Sequence, residues 1–207
     1  LRALGRALGR DAEAERFNRF YRERREAITR RIAEQGESLK RPATFMHVHA
    51  ASPDCCYSPG HATLNEFIRL AGGHNIGADV LAGATGQLSL EYVVTRNPRL
   101  YVATGVYERD PNRFAVGRGV DAARAKAGLR TVLARPGLSD LQAVKDGDAY
   151  ALWHSFAHTP AHVVAIERLA TWLHPDLFSD LDPQATLDVI NARFTSLPME
   201  GAFWTKA

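Results

Sequence analysis

The chain has 207 residues, 45% of them hydrophobic and 24% charged, which suits one large or two small globular domains with a real core. No apolar run approaches the roughly 18 residues that suggest a membrane-spanning helix. The formal charge of +3 gathers in the Arg-rich residues 1–41, but Glu13, Glu15, Glu23, Glu26, Glu34 and Glu37 interleave with the arginines there. That mixture reads as a solvated helix face with i,i+4 pairs, not as a nucleic-acid surface.

Taken in order, Leu1, Leu4, Leu8, Phe17, Phe20, Tyr21, Ala27, Ile28 and Ile32 recur at helical spacing, with a break near Gly9 to Asp11. The pattern predicts a long helix from Asp11 to Gln35, ended by Gly36. Thr44 to Ala50 is a short apolar strand leading into AASPDCCYSPG, whose prolines and glycine forbid regular structure. Leu64, Phe67, Ile68 and Ala71 mark a helix closed by Gly72-Gly73. Ser89 caps a second helix that runs through Glu91 to Arg96 and stops at Asn97-Pro98. Leu100 to Ala103 is a strand, and Thr104 to Val120 a long polar loop at its carboxyl end.

Helical spacing returns from Asp121 to Ala134, closed by Arg135-Pro136-Gly137. A short turn of helix follows (Leu138 to Val144), and DGDAYALW supplies a turn and the third clear strand. HSFAHTP is a loop, Pro160 to Leu173 a helix, and Asp182-Pro183 starts a last helix that ends near Ser196. The tail LPMEGAFWTKA is irregular or extended. Strands separated by helices place the chain in the α/β class. Loops at the carboxyl ends of the strands are then where a ligand belongs.

Two histidine patterns raise metal chemistry. His47-Val48-His49 sits on a strand, where residues two apart share a face, so both rings can reach one metal, as in a metal-dependent hydrolase. Such a site needs partners from more strand ends than three or four strands provide, and the competing reading is strand histidines packed against helices. His154, His158 and His162 recur every fourth residue, but Pro160 puts the first two in a loop and no HExxH glutamate accompanies them. His74 and His174 read as loop and cap residues. There is no Gly-x-Ser-x-Gly elbow, P-loop or GxGxxG, so the sequence supplies no catalytic residues. Cys55 and Cys56 are adjacent, which excludes CxxC and zinc-knuckle spacing. They read as two reduced, partly buried thiols, with a vicinal disulfide as the alternative.

The block His61 to Gly105 combines a helix, Ala-Gly-Gly-x-Asn-Ile, a second helix, and Asn-Pro-x followed by an apolar strand and Thr-Gly. It resembles the C-terminal lobe of the substrate-binding proteins that feed iron-siderophore, haem and cobalamin ABC importers. LGRALGRDAEAERFNRFYRER is similar to the start of the helix that joins the two lobes in that family, and RPG, LQAVKDGDAYAL, WLHPDLFSDLDPQAT and EGAFW also resemble its C-terminal lobe. The resemblance covers essentially the whole chain. It implies a three-layer α/β/α lobe with a short, mainly parallel sheet (residues 41–207), preceded by a long inter-lobe helix (residues 1–40), with the N-terminal lobe outside this sequence. It also implies a periplasmic or otherwise extracytoplasmic location, although LRALGRALGRDAEAER does not read as a leader.

The function implied is capture of a ferric siderophore between two lobes and its delivery to a membrane permease, without catalysis and without a resident cofactor. Haem or cobalamin are the alternatives within the family. Such ligands are bulky, partly apolar and often anionic, and call for aromatic faces and cationic donors. The three strand-end loops offer Tyr57, Tyr107, Arg109, Arg113, Arg118, Trp153, His154, Phe156 and His158, with Tyr107, Arg109 and Trp153 foremost. His49, His154 or His158 would serve a haem as axial ligand. In the family an exposed glutamate on each lobe docks the permease, and Ser89-Leu90-Glu91 matches the position of the C-lobe one; stabilisation of the helix N-terminus is the other role open to Glu91. The two-lobed protein is expected to be a monomer, while a single lobe with its cleft face exposed is expected to dimerise.

Overall fold

A computed structural model describes residues 1–110 and 112–207; residue 111, within the predicted loop after the second strand, lies outside the described residues. The chain opens with a short helix α1 (Arg2–Ala7) and the long helix α2 (Asp11–Glu34). The 24 residues of α2 make a rod about 36 Å long at 1.5 Å per residue. Strand β1 (Ala43–His47) follows, then β2 (Tyr57–Pro59), helix α3 (Thr63–Leu70), β3 (His74–Asn75), β4 (Thr85–Gln87), helix α4 (Leu90–Arg96) and strand β5 (Leu100–Gly105). The second half contributes β6 (Gly117–Arg118), α5 (Ala122–Leu133), α6 (Gln142–Lys145), β7 (Ala149–Trp153), α7 (His162–Leu173), α8 (Pro183–Phe194), β8 (Gly201–Ala202) and β9 (Trp204–Lys206).

The main sheet has the order β3-β1-β5-β7-β9. Its first four strands run parallel, and β9 pairs antiparallel with β7. Every residue of β5 is buried, as expected of a central parallel strand covered on both faces. Alternation along the strands sorts the core into two layers. Met46, Val102 and Leu152 face Phe67, Ile166 and Leu187 of α3, α7 and α8, together with Ile28 and Ile32 of α2. Phe45, Tyr101 and Ala151 face Val93, Leu129 and Ala143 of α4, α5 and α6. The result is the three-layer α/β/α lobe that the sequence implies. No helix among the described residues is long and apolar enough to cross a membrane.

The Ser89 cap acts as read, accepting from the Tyr92 N–H at the start of α4. The structure adds Asp121 as the cap of α5, Asp182 as that of α8, and Asn97 closing α4 in the left-handed region. Helix α2 is fastened to the lobe by polar links as well as by its apolar stripe. Arg24 Nε lies 2.6 Å from Glu167 Oε1 on α7, Tyr21 Oη lies 2.6 Å from His162 Nε2, and Arg31 grips Asp180 through both carboxylate oxygens.

Several expectations are corrected. The first strand ends at His47, because the backbone turns there and His49 adopts φ 51°. Of the two readings of the tail the extended one holds: it forms β8 and β9, with β9 closing the sheet edge. His154–His158 is a turn of 3-10 helix, where a loop was expected. The stretch after β5 is not polar throughout: Phe114, Ala115 and Val116 are buried. Cys55 and Cys56 are joined as a vicinal disulfide, and neither is a free thiol.

Candidate functional site

At the carboxyl edge of the sheet, the ends of β1, β5 and β7 bring together residues distant in sequence. Thr104, fully buried near the end of β5, accepts through Oγ1 from the His49 backbone N–H at 3.2 Å and lies 3.1 Å from His154 Nδ1. The rings of His49 and His154 lie tilted by 36° with centroids 4.1 Å apart, and His158 follows at 5.9 Å from His154. The three imidazoles form a row running from an exposed His49, through a half-buried His154, to an exposed His158. Burial, with His49 and His158 as neighbours, pulls the His154 pKa down to about 4, so the ring is neutral at physiological pH.

The two long loops beside this row are tied down by arginines of the following helix and its flank. Arg135 Nη1 donates to the Ser52 carbonyl at 2.8 Å and Arg113 Nη2 to that of Ala51 at 3.0 Å, joining the β5 loop to the β1 loop. Arg124 Nη2 holds the carbonyls of Glu108 and Asp110, and its guanidinium lies 5.6 Å over the Tyr107 ring. Arg124, Arg135 and Thr104 were not singled out from the sequence. The one local signal is at Arg124, a cation on the helix that follows the β5 loop, since an always-charged, multi-donor guanidinium suits the free carbonyls of irregular backbone; Arg135 reaches a carbonyl 83 residues away and carries no local signal. The Cys55–Cys56 turn is held in the same way, by Gln87 Nε2 on the Cys55 carbonyl and the Leu88 N–H on that of Cys56.

The predicted site residues divide in three. His154 and His158 join His49 in the row, and Tyr107, Arg109 and Arg113 are exposed on the β5 loop beside it. Trp153 is a wall, packed edge-on against Phe156 and Phe203 with its indole seated on Gly117, where a β-carbon would clash with the ring. Phe156 is wholly buried behind it. Tyr57 is exposed on the β2–β4 ribbon, its carbonyl accepting from the Val48 N–H at 2.7 Å, and Arg118 is exposed on the β6–β8 ribbon beside Gly117. Glu91 is exposed in the first turn of α4.

The same-face argument for His47 and His49 fails because the strand stops between them. His47 is fully buried, stacked on Phe45, with Nδ1 2.8 Å from the Tyr101 hydroxyl. Burial, assisted by Arg135, pulls its pKa down to about 4, and burial raises that of Tyr101. His47 is therefore a core residue, whereas His49 faces outward. Among the described residues no group of three His, Cys, Asp or Glu side chains is arranged to hold a metal ion. A groove of about 930 Å³ opens elsewhere, between the start of α2 and the end of α8, lined by Leu8, Phe17, Pro160, Ile190 and Phe194. Its lining is mostly apolar but also includes Arg10, Glu13, Arg16 and Arg193.

Comparison with solved structures gives the fold a context. The TroA-like periplasmic binding protein FepB of Veillonella parvula superposes with a TM-score of 0.90 at 24% identity, over 99% of this chain and 59% of its own. A periplasmic heme binding protein of Pseudomonas aeruginosa matches with a TM-score of 0.65 and 20% identity, over 84% of this chain and 58% of its own. An ABC-type Fe3+-hydroxamate transport system protein of Saccharomonospora viridis matches with a TM-score of 0.63 and 21% identity, over 84% and 53%. The chain thus spans between half and three-fifths of the length of these relatives. No curated protein sequence matches. The family profile described as "Periplasmic binding protein" matches residues 1–154, about three-quarters of the sequence, and with the three-layer lobe and its open strand edge it shows that the chain belongs to the periplasmic binding protein family.

Proposed function

We propose that the protein is the solute-binding component of an ABC importer, acting outside the cytoplasmic membrane, and that its solute is a ferric siderophore. The observation that carries this reading is the strand edge itself. A row of imidazoles, the flanking Trp153 wall and the exposed cations Arg109 and Arg113 are set there on loops fastened to a rigid sheet. A ferric hydroxamate or catecholate is bulky, oxygen-rich and often anionic. It gains from aromatic contact, from charge and from N–H donors, each of which the edge supplies.

On this reading α2 is the stiff link to a second lobe, the solute is held between the lobes, and the strand edge described above is one wall of the cleft. Glu91, exposed on the first turn of α4, is the carboxylate that meets a cationic partner on the permease. Haem is the second reading, favoured by one observation: His49 and His158 are exposed imidazoles on the cleft wall, and an imidazole is a haem ligand.

Titration of the two-lobed protein with a ferric hydroxamate, a ferric catecholate, haem and cobalamin, followed by tryptophan fluorescence, tests the proposal. Trp153 lies on the cleft wall, so a ferric complex bound at micromolar concentration or below quenches emission. Saturable quenching by haem alone replaces the siderophore with haem, and no response to any of the four removes the iron-complex reading.

A further inference from the structure

The buried Thr104 hydroxyl determines how the neighbouring imidazole can act. Thr104 is wholly inaccessible, and among the described residues its Oγ1 has two partners, the His49 backbone N–H and His154 Nδ1. The first can only donate, so it occupies a lone pair of the oxygen. The hydroxyl proton must go elsewhere, because a buried hydroxyl without an acceptor loses the hydrogen bond it had in water. His154 Nδ1 is the acceptor within reach. An imidazole that accepts at Nδ1 and is neutral carries its proton on Nε2. Nε2 lies on the far side of the ring from Thr104, has no protein partner among the described residues, and is not among the buried unpartnered atoms.

We infer that Thr104 is a positioning residue that fixes His154 as the Nε2–H tautomer, so that His154 meets the solute as a hydrogen-bond donor to an acceptor oxygen and not as a metal ligand. Coordination of a metal through Nε2 would require the proton to move to Nδ1. The Thr104 oxygen would then face two donors, and its own proton would be left without an acceptor. The inference rests on the binding reading above and narrows it. The solute presents an oxygen to His154, as a hydroxamate, catecholate or carboxylate group of a chelator does, and no open coordination position of the metal is filled there.

The ring nitrogens decide this in the free protein. Long-range proton–nitrogen correlation spectra at neutral pH should show His154 with a pyridine-type Nδ1 and a pyrrole-type Nε2. Thr104→Ser should keep that pattern, Thr104→Val should shift it towards Nδ1–H, and equimolar Zn(II) should leave the Nε2 proton in place. A pyrrole-type Nδ1 in the unmodified protein overturns the inference, as does a pattern unchanged by Thr104→Val or displacement of the Nε2 proton by zinc. With a ferric hydroxamate that binds, His154→Gln keeps a side-chain N–H and should retain affinity, whereas His154→Leu should lose about tenfold, the equivalent of one hydrogen bond. Equal losses in the two variants count against donation. A protein that binds none of the ferric complexes overturns the siderophore reading, while the spectra still decide the state of His154 because they need no solute.

Discussion

Replacing Arg24 by Met leaves the carboxylate of Glu167 buried without its partner. Glu167 is fully inaccessible, its Oε1 lies 2.6 Å from Arg24 Nε, and the buried Thr186 hydroxyl is the other hydrogen-bonding group that favours its carboxylate form. Removing one member of a fully buried pair costs about 3–5 kcal/mol. Arg24 is 35% exposed and Arg168 also bears on the carboxylate, so we expect a smaller loss, about 2–3 kcal/mol above neutral pH. For a chain of this size that corresponds to a fall in Tm of about 4–12 °C. The pH dependence gives the cause. Burial raises the folded-state pKa of Glu167 above its unfolded value of 4.5, and the Arg24 hydrogen bond opposes that rise. A raised carboxyl binds more protons folded than unfolded, so its contribution to stability is complete below pH 4.5 and is lost as pH rises through the folded pKa. Arg24→Met raises that pKa further and steepens the loss. Thermal unfolding followed by circular dichroism between pH 4.5 and 8.5 should show the variant closest to the unmodified protein at the acid end, and Arg24→Met with Glu167→Gln should recover most of the difference. A deficit independent of pH, or below about 0.5 kcal/mol throughout, the range of ordinary surface changes, would refute the reasoning.

Three further outcomes follow from the same geometry. Gly117→Ala places a β-carbon against the Trp153 indole at a backbone φ of +125°; it should cost at least about 2 kcal/mol and shift the tryptophan emission, and a silent substitution would show that Trp153 is not held as described. Tyr101→Phe leaves the buried His47 Nδ1 without its 2.8 Å partner and should destabilise by about 1–3 kcal/mol, measured by urea denaturation. Glu91→Lys should abolish uptake in cells while leaving solute affinity within about twofold, since an exposed first-turn carboxylate contributes well under 1 kcal/mol to its helix; equal loss of binding would remove Glu91 from docking.

Much of the fold was legible because its signals are local. Ser89, Asp121 and Asp182 cap helices through their own side chains, and Gly72 takes the positive φ that ends the α3 region. The apolar run at Leu100 reads as a strand, and β5 forms there, buried throughout. What escaped was non-local. The tail reads as irregular or extended, and no further, because β9 is a strand only through its pairing with β7. The His47/His49 face argument assumed a strand two residues longer than the one that forms. Three strand-end loops could be named as the candidate site, but not the contact of Thr104 with His49 and His154, since Thr104 looks like any strand threonine until β5 brings it beside them. Trp153 reads as a ligand contact, but its packing on Phe156, Phe203 and Gly117 is non-local and has no signal in the sequence.

The central claim is that the solute sits at the carboxyl edge of β1, β5 and β7. Ferric iron is paramagnetic and broadens the signals of nearby nuclei, so proton–nitrogen spectra of the labelled two-lobed protein, recorded with increasing ferric hydroxamate, locate it directly. We predict selective loss of the His49, Thr104, Tyr107 and His154 amide signals, with Leu8, Phe17 and Phe194 unaffected. Broadening centred on those last three residues would place the solute in the groove between α2 and α8 and contradict the account.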